Sequence, residues 1–173
     1  MNSKTMMKSR MSILMQNKVV LGVDPGFDRI GVAVLEKEKV LFSDCIETNR
    51  KLPHPERLFE IGKVIKKVIK KWNPTSLAIE ILFFNQNITN ALKVSEARGV
   101  IIYEAVRAGL EIYGYSPQAI KIAITGYGKA DKTQMAMMVK KLINLPDKLS
   151  GRLDDEIDAI ALCITHLATK NGI

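Results

Sequence analysis

Three stretches of the chain carry acidic side chains in settings that acids usually avoid. Val19-Val20-Leu21-Gly22-Val23-Asp24-Pro25-Gly26 sets a carboxylate at the close of an apolar run, directly before a Pro-Gly turn. Leu77-Ala78-Ile79-Glu80-Ile81-Leu82-Phe83-Phe84 sets a glutamate inside a strongly apolar segment with no Lys or Arg beside it. Asp154-Asp155-Glu156-Ile157-Asp158 opens a third run that is almost wholly apolar thereafter. Ordinary structural duties exist for two of these. Asp24 can accept hydrogen bonds from the amides of its turn, and acids in a first helical turn complement the helix dipole. Glu80 has no such duty, since a glutamate is rarely buried unless paired or coordinating. If the three stretches converge, their acids cannot all ionise without compensating positive charge, because like charges raise each other's pKa. Hard oxygen ligands of this kind suit Mg²⁺ or Mn²⁺. Two such ions ~3.5–4 Å apart activate a water and stabilise a leaving oxygen in phosphodiester hydrolysis. Asp155 and Asp158 are spaced to share a helix face, while Asp154, one turn before Asp158, competes for the same assignment.

The elements that must position these acids can be read from spacing. Val19–Val23, Ile30–Leu35 and Val40–Ile46 are short runs rich in β-branched residues, separated by DPGFDR and EKEK. Connections that short permit antiparallel pairing only, so the first part is a three-stranded meander. Pro55 opens a helix with Leu58, Ile61, Val64, Ile65, Val68 and Ile69 at helical spacing, ending near Trp72 and Pro74. A fourth strand spans Ser76–Leu82. Asn87 can cap a long helix to about Ala108, stopped by Gly109. A fifth strand covers Glu111–Tyr115, and helices follow over Pro117–Ile124, Lys132–Ile143 and Asp154 to about Thr169. The order predicts an α/β fold with one mixed sheet and helices on both faces.

Composition narrows the chemistry. The chain has 173 residues, 47% of them apolar, which suits one domain with a real core. Its net charge of +8 favours an anionic partner, nucleic acid first. A basic protein with a carboxylate metal site reads as a nuclease. Cys45 and Cys163 cannot build a disulfide framework, and both sit in apolar runs where a thiol acts as a small core residue. No stretch approaches the ~18–20 apolar residues of a membrane span, and residues 1–17, basic and Met-rich, are read as an extension before a domain at 18–170. The expected compartment is the reducing cytoplasm, with no membrane partner.

In order and spacing, the segments LGVDPG (21–26), AIE (78–80), NALKVSEARGV (90–100), GYGKADKTQM (126–135) and DAIALCITH (158–166) resemble the RuvC-type Holliday junction resolvases of the RNase H-like superfamily. The resemblance spans residues 19–168, and its ALKxxxARG feature is the most specific. It implies an RNase H-like mixed five-stranded sheet, with the antiparallel meander joined by two parallel strands. It also implies that Asp24, Glu80, Asp155 and Asp158 are the catalytic, metal-binding carboxylates, with Asp155 at a position where some members carry His. Phe83 matches an aromatic that stacks on bases near the junction point, with Phe84 the competing choice. Lys121 and Lys132 match lysines that approach the DNA backbone. The implied activity is that of a homodimeric endonuclease which binds four-way DNA junctions, nicks two opposed strands to leave 5′-phosphate ends, and works with a RuvAB-like branch-migration complex. On the residues themselves, the lysine run Lys63, Lys66, Lys67, Lys70 and Lys71 is a solvated helix face, and His166 is a packed side chain. The competing activities are a junction binder that does not cut, a phosphate-handling ATPase, which needs two such domains, and a ribonuclease acting on RNA–DNA hybrids.

Overall fold

A computed structural model describes residues 18–82, 88–143, 145 and 153–170. Residues 1–17, Phe83, Phe84 and Asn87 lie outside the described residues.

The strands β1 (Val19–Asp24), β2 (Arg29–Glu36), β3 (Lys39–Glu47), β4 (Ser76–Glu80) and β5 (Glu111–Tyr115) form a five-stranded sheet ordered β3-β2-β1-β4-β5. The first three pair antiparallel through tight turns, and β1, β4 and β5 run parallel. The parallel pairs need crossovers, and helices supply them. They are α1 (His54–Trp72) between β3 and β4, and α2 (Ile88–Arg107) between β4 and β5. Helices α3 (Pro117–Thr125), α4 (Lys132–Leu142) and α5 (Leu153–Lys170) complete the chain. This is the mixed α/β sheet that the spacing predicts.

Because side chains alternate along a strand, the sheet has two apolar faces and two cores. Leu21, Val23, Val32, Val34, Leu77 and Ile79 pack under α1 and α2, against Ile61, Ile65, Ala97 and Ile101. On the other face Val20, Ala33, Leu35 and Ala78 meet Ile120, Val139, Ile157, Ile160 and Cys163. The lysine run of α1 is exposed throughout, as its spacing predicts.

α5 lies against bare backbone. A Cβ at Gly22 would stand 2.3 Å from the Ala159 carbonyl oxygen, and one at Gly31 would stand 2.1 Å from that of Asp155. Any larger residue at either position would hold the helix away from the sheet. The starts of α3 and α4 are fixed by side chains. Ser116 accepts from the Ala119 amide at 3.1 Å, and Asp131 and Gln134 form a reciprocal capping box that makes Lys132 the first residue of α4.

Candidate active site

Asp24 and Glu80 are the last residues of β1 and β4. Those strands are parallel neighbours with Val23 opposite Ile79, so the two acids follow side by side at the carboxyl edge of the sheet. The sequence placed Glu80 inside a strand running to Leu82. Instead β4 stops at Glu80, and only the Ile81 amide continues the ladder, donating to the Tyr115 carbonyl at 2.8 Å. Strand alternation turns Asp24 and Glu80 toward the face with Val20 and Ala78, which is the face covered by α5. The first turns of α5 bring Asp155 and Asp158 over them, half-buried, while Asp154 is exposed.

The electrostatics of this cluster are those of negative charge only partly countered. Burial is the main reason Asp24 is raised from 3.8 to about 7, and Glu80, Asp158 and Asp155 add to it in that order. Lys132 alone opposes them. Glu80 is raised by burial and by Asp158, and Asp158 by burial and then by Asp155 and Asp154, with Lys132 again lowering both. The Lys132 ammonium stands 3.8 Å from the Asp158 carboxylate on an exposed side chain. Of the two lysines singled out from the sequence, Lys132 is the one placed against the acids; Lys121 sits on α3.

Several residues here were given no individual role from the sequence, although Arg98 falls within the ALKxxxARG feature. Arg98 of α2 donates from Nε to the backbone carbonyl of Glu80 at 3.0 Å, tying that strand end to the helix. Arg29 faces Asp155 at 3.6 Å. Cys45 is a correction to the sequence reading: it is half-buried and its thiol donates to Asp155 Oδ2 at 3.3 Å, because β3 is an edge strand flanking α5. Two residues away on the same face of β3, Ser43 donates to the buried Glu156 at 2.6 Å. Cys163 is a core thiol, its pKa pushed up by burial, as its apolar run predicts. His166 is packed as expected, between the Ser76 hydroxyl (3.0 Å) and that of Tyr115 (2.8 Å). Gly126 takes φ 74° as the C-cap of α3, a helix-ending role.

A cleft of about 830 Å³ opens beside the acids, lined by Asp24 and Asp155 and by Arg29, Glu47, Arg50 and Asn90. Among the described residues no three His, Cys, Asp or Glu side chains already form a closed metal-holding group. The donor set nonetheless suits a hard cation. It is all oxygen, it is drawn from two adjacent strand ends and one helix, and Asp24, Glu80 and Asp158 are held against ionisation by burial and by neighbouring acids.

The family model described as crossover junction endodeoxyribonuclease RuvC matches residues 20–166. The RuvC protein of Halothermothrix orenii is 42% identical over 152 residues, covering 86% of this chain and 91% of its own. That of Alkaliphilus oremlandii is 40% identical over 157 residues, covering 88% and 94%. Among solved structures, Thermus thermophilus RuvC in complex with a Holliday junction substrate superposes with a TM-score of 0.81 at 30% identity, covering 88% of this chain and 94% of that one. The yeast mitochondrial Holliday junction resolvase shares the fold, with a TM-score of 0.63 at 13% identity over 90% of this chain and 82% of that one. With the fold and the sequence in agreement over this length, the chain belongs to the crossover junction endodeoxyribonuclease RuvC family.

Proposed function

We propose that the protein is a homodimeric, divalent-metal-dependent endonuclease that binds four-way DNA junctions and resolves them by symmetric paired nicks in homologous recombination and repair. The observation that carries this reading is the pairing of Asp24 with Glu80 at the ends of parallel strands beneath Asp158, where burial and mutual repulsion raise all three carboxyls. A site built so is costly unless cations enter it. Asp24, Glu80, Asp155 and Asp158 would hold Mg²⁺ or Mn²⁺, two per site. Such ions would supply a lowered pKa for an attacking water and charge to offset the leaving 3′ oxygen, and cleavage of that bond would leave 5′-phosphate and 3′-hydroxyl ends.

The chain's own groups then have separate duties. Arg98 fixes the backbone that presents Glu80. Cys45 and Arg29 hold Asp155 in one orientation. Lys132 sets a positive charge beside Asp158, where it neutralises the scissile phosphate. Lys121 serves the DNA backbone from α3, and Phe83 stacks on a base at the junction point. The dimer forms through α2, whose Leu92, Tyr103 and Val106 are exposed while Ala97, Ile101 and Ala105 are buried against the sheet. Two copies related by a twofold axis suit two nicks in opposed strands. A RuvAB-like branch-migration complex is the expected partner and the cytoplasm the expected compartment. No helix among the described residues is long and apolar enough to cross a membrane.

The test is cleavage of a synthetic, partly mobile four-way junction with Mg²⁺ or Mn²⁺, beside linear duplex and RNA–DNA hybrid, for wild type and Glu80→Gln. Paired nicks confined to the junction and lost in Glu80→Gln, with binding retained, are expected. Tight junction binding without nicks under either metal identifies an architectural binder, and preference for the hybrid overturns the substrate.

A further inference from the structure

The chain that leaves the cleft floor carries a second charge cluster. The Asp28 carboxylate takes a hydrogen bond from Arg57 Nη2 at 2.5 Å and an ion pair from Arg50 at 3.1 Å. Lys93 of α2 adds its field, and together these cations hold Asp28 below its usual range. Arg57 is committed to the fold. Its side chain is 10% exposed, bonded to the Phe27 carbonyl and the Thr48 hydroxyl, and stacked 3.9 Å over the Phe27 ring. The other two cations are not committed in that way. Arg50 is 71% exposed and lines the same cleft as Asp24 and Asp155. Lys93 is exposed and lies 5.8 Å over the opposite partner of that stack, the Phe27 ring. With Arg57 already balancing Asp28, Arg50 and Lys93 bring positive charge that the anchor does not need. The acids nearby are Glu47, which lines the cleft, Glu60, which accepts from the Asn49 amide beside Arg50, and Glu96, which faces His54.

We infer that Arg50 and Lys93 form a phosphate-binding subsite for the DNA strand that enters the catalytic cleft, holding a backbone phosphate displaced from the one that is cut. The inference rests on the nuclease reading above, since the cleft is shared with the catalytic acids. The Arg57–Asp28–Phe27 anchor fixes the position of this subsite relative to Asp24, four residues upstream in the chain. A phosphate contact of this kind positions the strand and carries no sequence information.

The test measures binding of a four-way junction and of a linear duplex in EDTA across a salt series, for wild type, Arg50→Ala, Lys93→Ala and the double variant. Each lost phosphate contact is expected to weaken binding on both DNAs and to reduce the slope of log affinity against log salt by about 0.9 on duplex DNA, so the double variant loses about 2 in slope and at least about tenfold in affinity at moderate salt. Arg50→Lys should recover most of the slope, and Arg50→Glu should lose more than Arg50→Ala. Both side chains are exposed, so an unchanged melting temperature verifies folding. A double variant with wild-type affinity and slope overturns the subsite and leaves the nuclease reading intact. Wild type that binds junction no better than duplex overturns the junction reading, while the slopes still decide the subsite.

Discussion

Asp24 and Asp28 sit four residues apart on one turn of chain, yet their carboxyls are driven in opposite directions. Asp24 is raised to about 7 by burial and three neighbouring acids, with Lys132 as the opposing charge. Asp28, more exposed, is lowered by Arg57, Arg50 and Lys93. The chemistry of the group is identical; the difference lies in whether the fold supplies its counter-charge. At Asp28 the counter-charge is internal, and the result is a rigid corner joining the β1–β2 turn, the end of β3 and the start of α1. At Asp24 the chain supplies little of it, and the cations proposed to bind there would supply the rest. Pairing that is completed within the chain stabilises it, and pairing left incomplete marks the site proposed to function.

The largest expected effect breaks the incomplete pole. Asp24→Asn or Glu80→Gln should lower junction cleavage by more than the ~10–100-fold that loss of an outer support costs, with junction affinity retained in a gel-shift assay. The complete pole should respond in stability. Arg57→Ala should cost about 2–4 kcal/mol by urea denaturation, toward the low end for a buried pair because Asp28 is 47% exposed. Arg57→Lys, which keeps charge but not the fork of donors, should recover only part of this. Between the poles, Arg98→Ala frees the Glu80 carbonyl and should reduce cleavage by about tenfold with little change in DNA affinity, seen in single-turnover kinetics.

The finest distinction is the sign of the pH dependence in metal-free protein. Asp24 binds its proton more tightly when folded, so its ionisation costs stability as pH rises from about 4 to 7. Asp24→Asn should therefore melt higher than wild type at pH 8, by about 2–4 °C for each kcal/mol regained, and level with it below pH 4. Asp28 binds its proton less tightly when folded, so its contribution is present above its ordinary 3.8 and fades as pH falls below that. Asp28→Asn should melt lower than wild type at neutral pH and converge with it in acid. Melting curves in EDTA that shift both variants the same way would remove the contrast between the poles.

The fold was legible because it depends on periodicity. The β-branched runs, the short turns between them and the amphipathic α1 each encode their own geometry locally, and their order dictates a mixed sheet. The acids were legible for a related reason, since Glu80 in an apolar segment is an anomaly visible in sequence alone. The groups that hold them in place were not. Arg57 reaches Phe27 across 30 residues, Cys45 reaches Asp155 across 110 and Ser43 reaches Glu156 across 113. An arginine at the start of an amphipathic helix, or a cysteine in a strand, has no local anomaly to betray its partner. Where Glu80 lies in its strand also escaped the sequence, because Ile81 and Leu82 are as apolar as the strand itself and nothing marks the last ladder residue.

The contact of α5 with Gly22 and Gly31 gives the proposed active site a mechanical character. The helix that carries Asp155 and Asp158 is seated on the main chain of the strands that carry and flank Asp24, with carbonyl oxygens where side chains would otherwise stand. Its height is set by a hard stop between two backbones, like a workpiece resting on a machined datum, and no rotamer change can alter it. Displacements of ~1 Å are worth up to ~100-fold in rate at a catalytic centre. The two glycines therefore act as the gauge for the spacing between helix acids and strand acids, without contributing an atom to the chemistry.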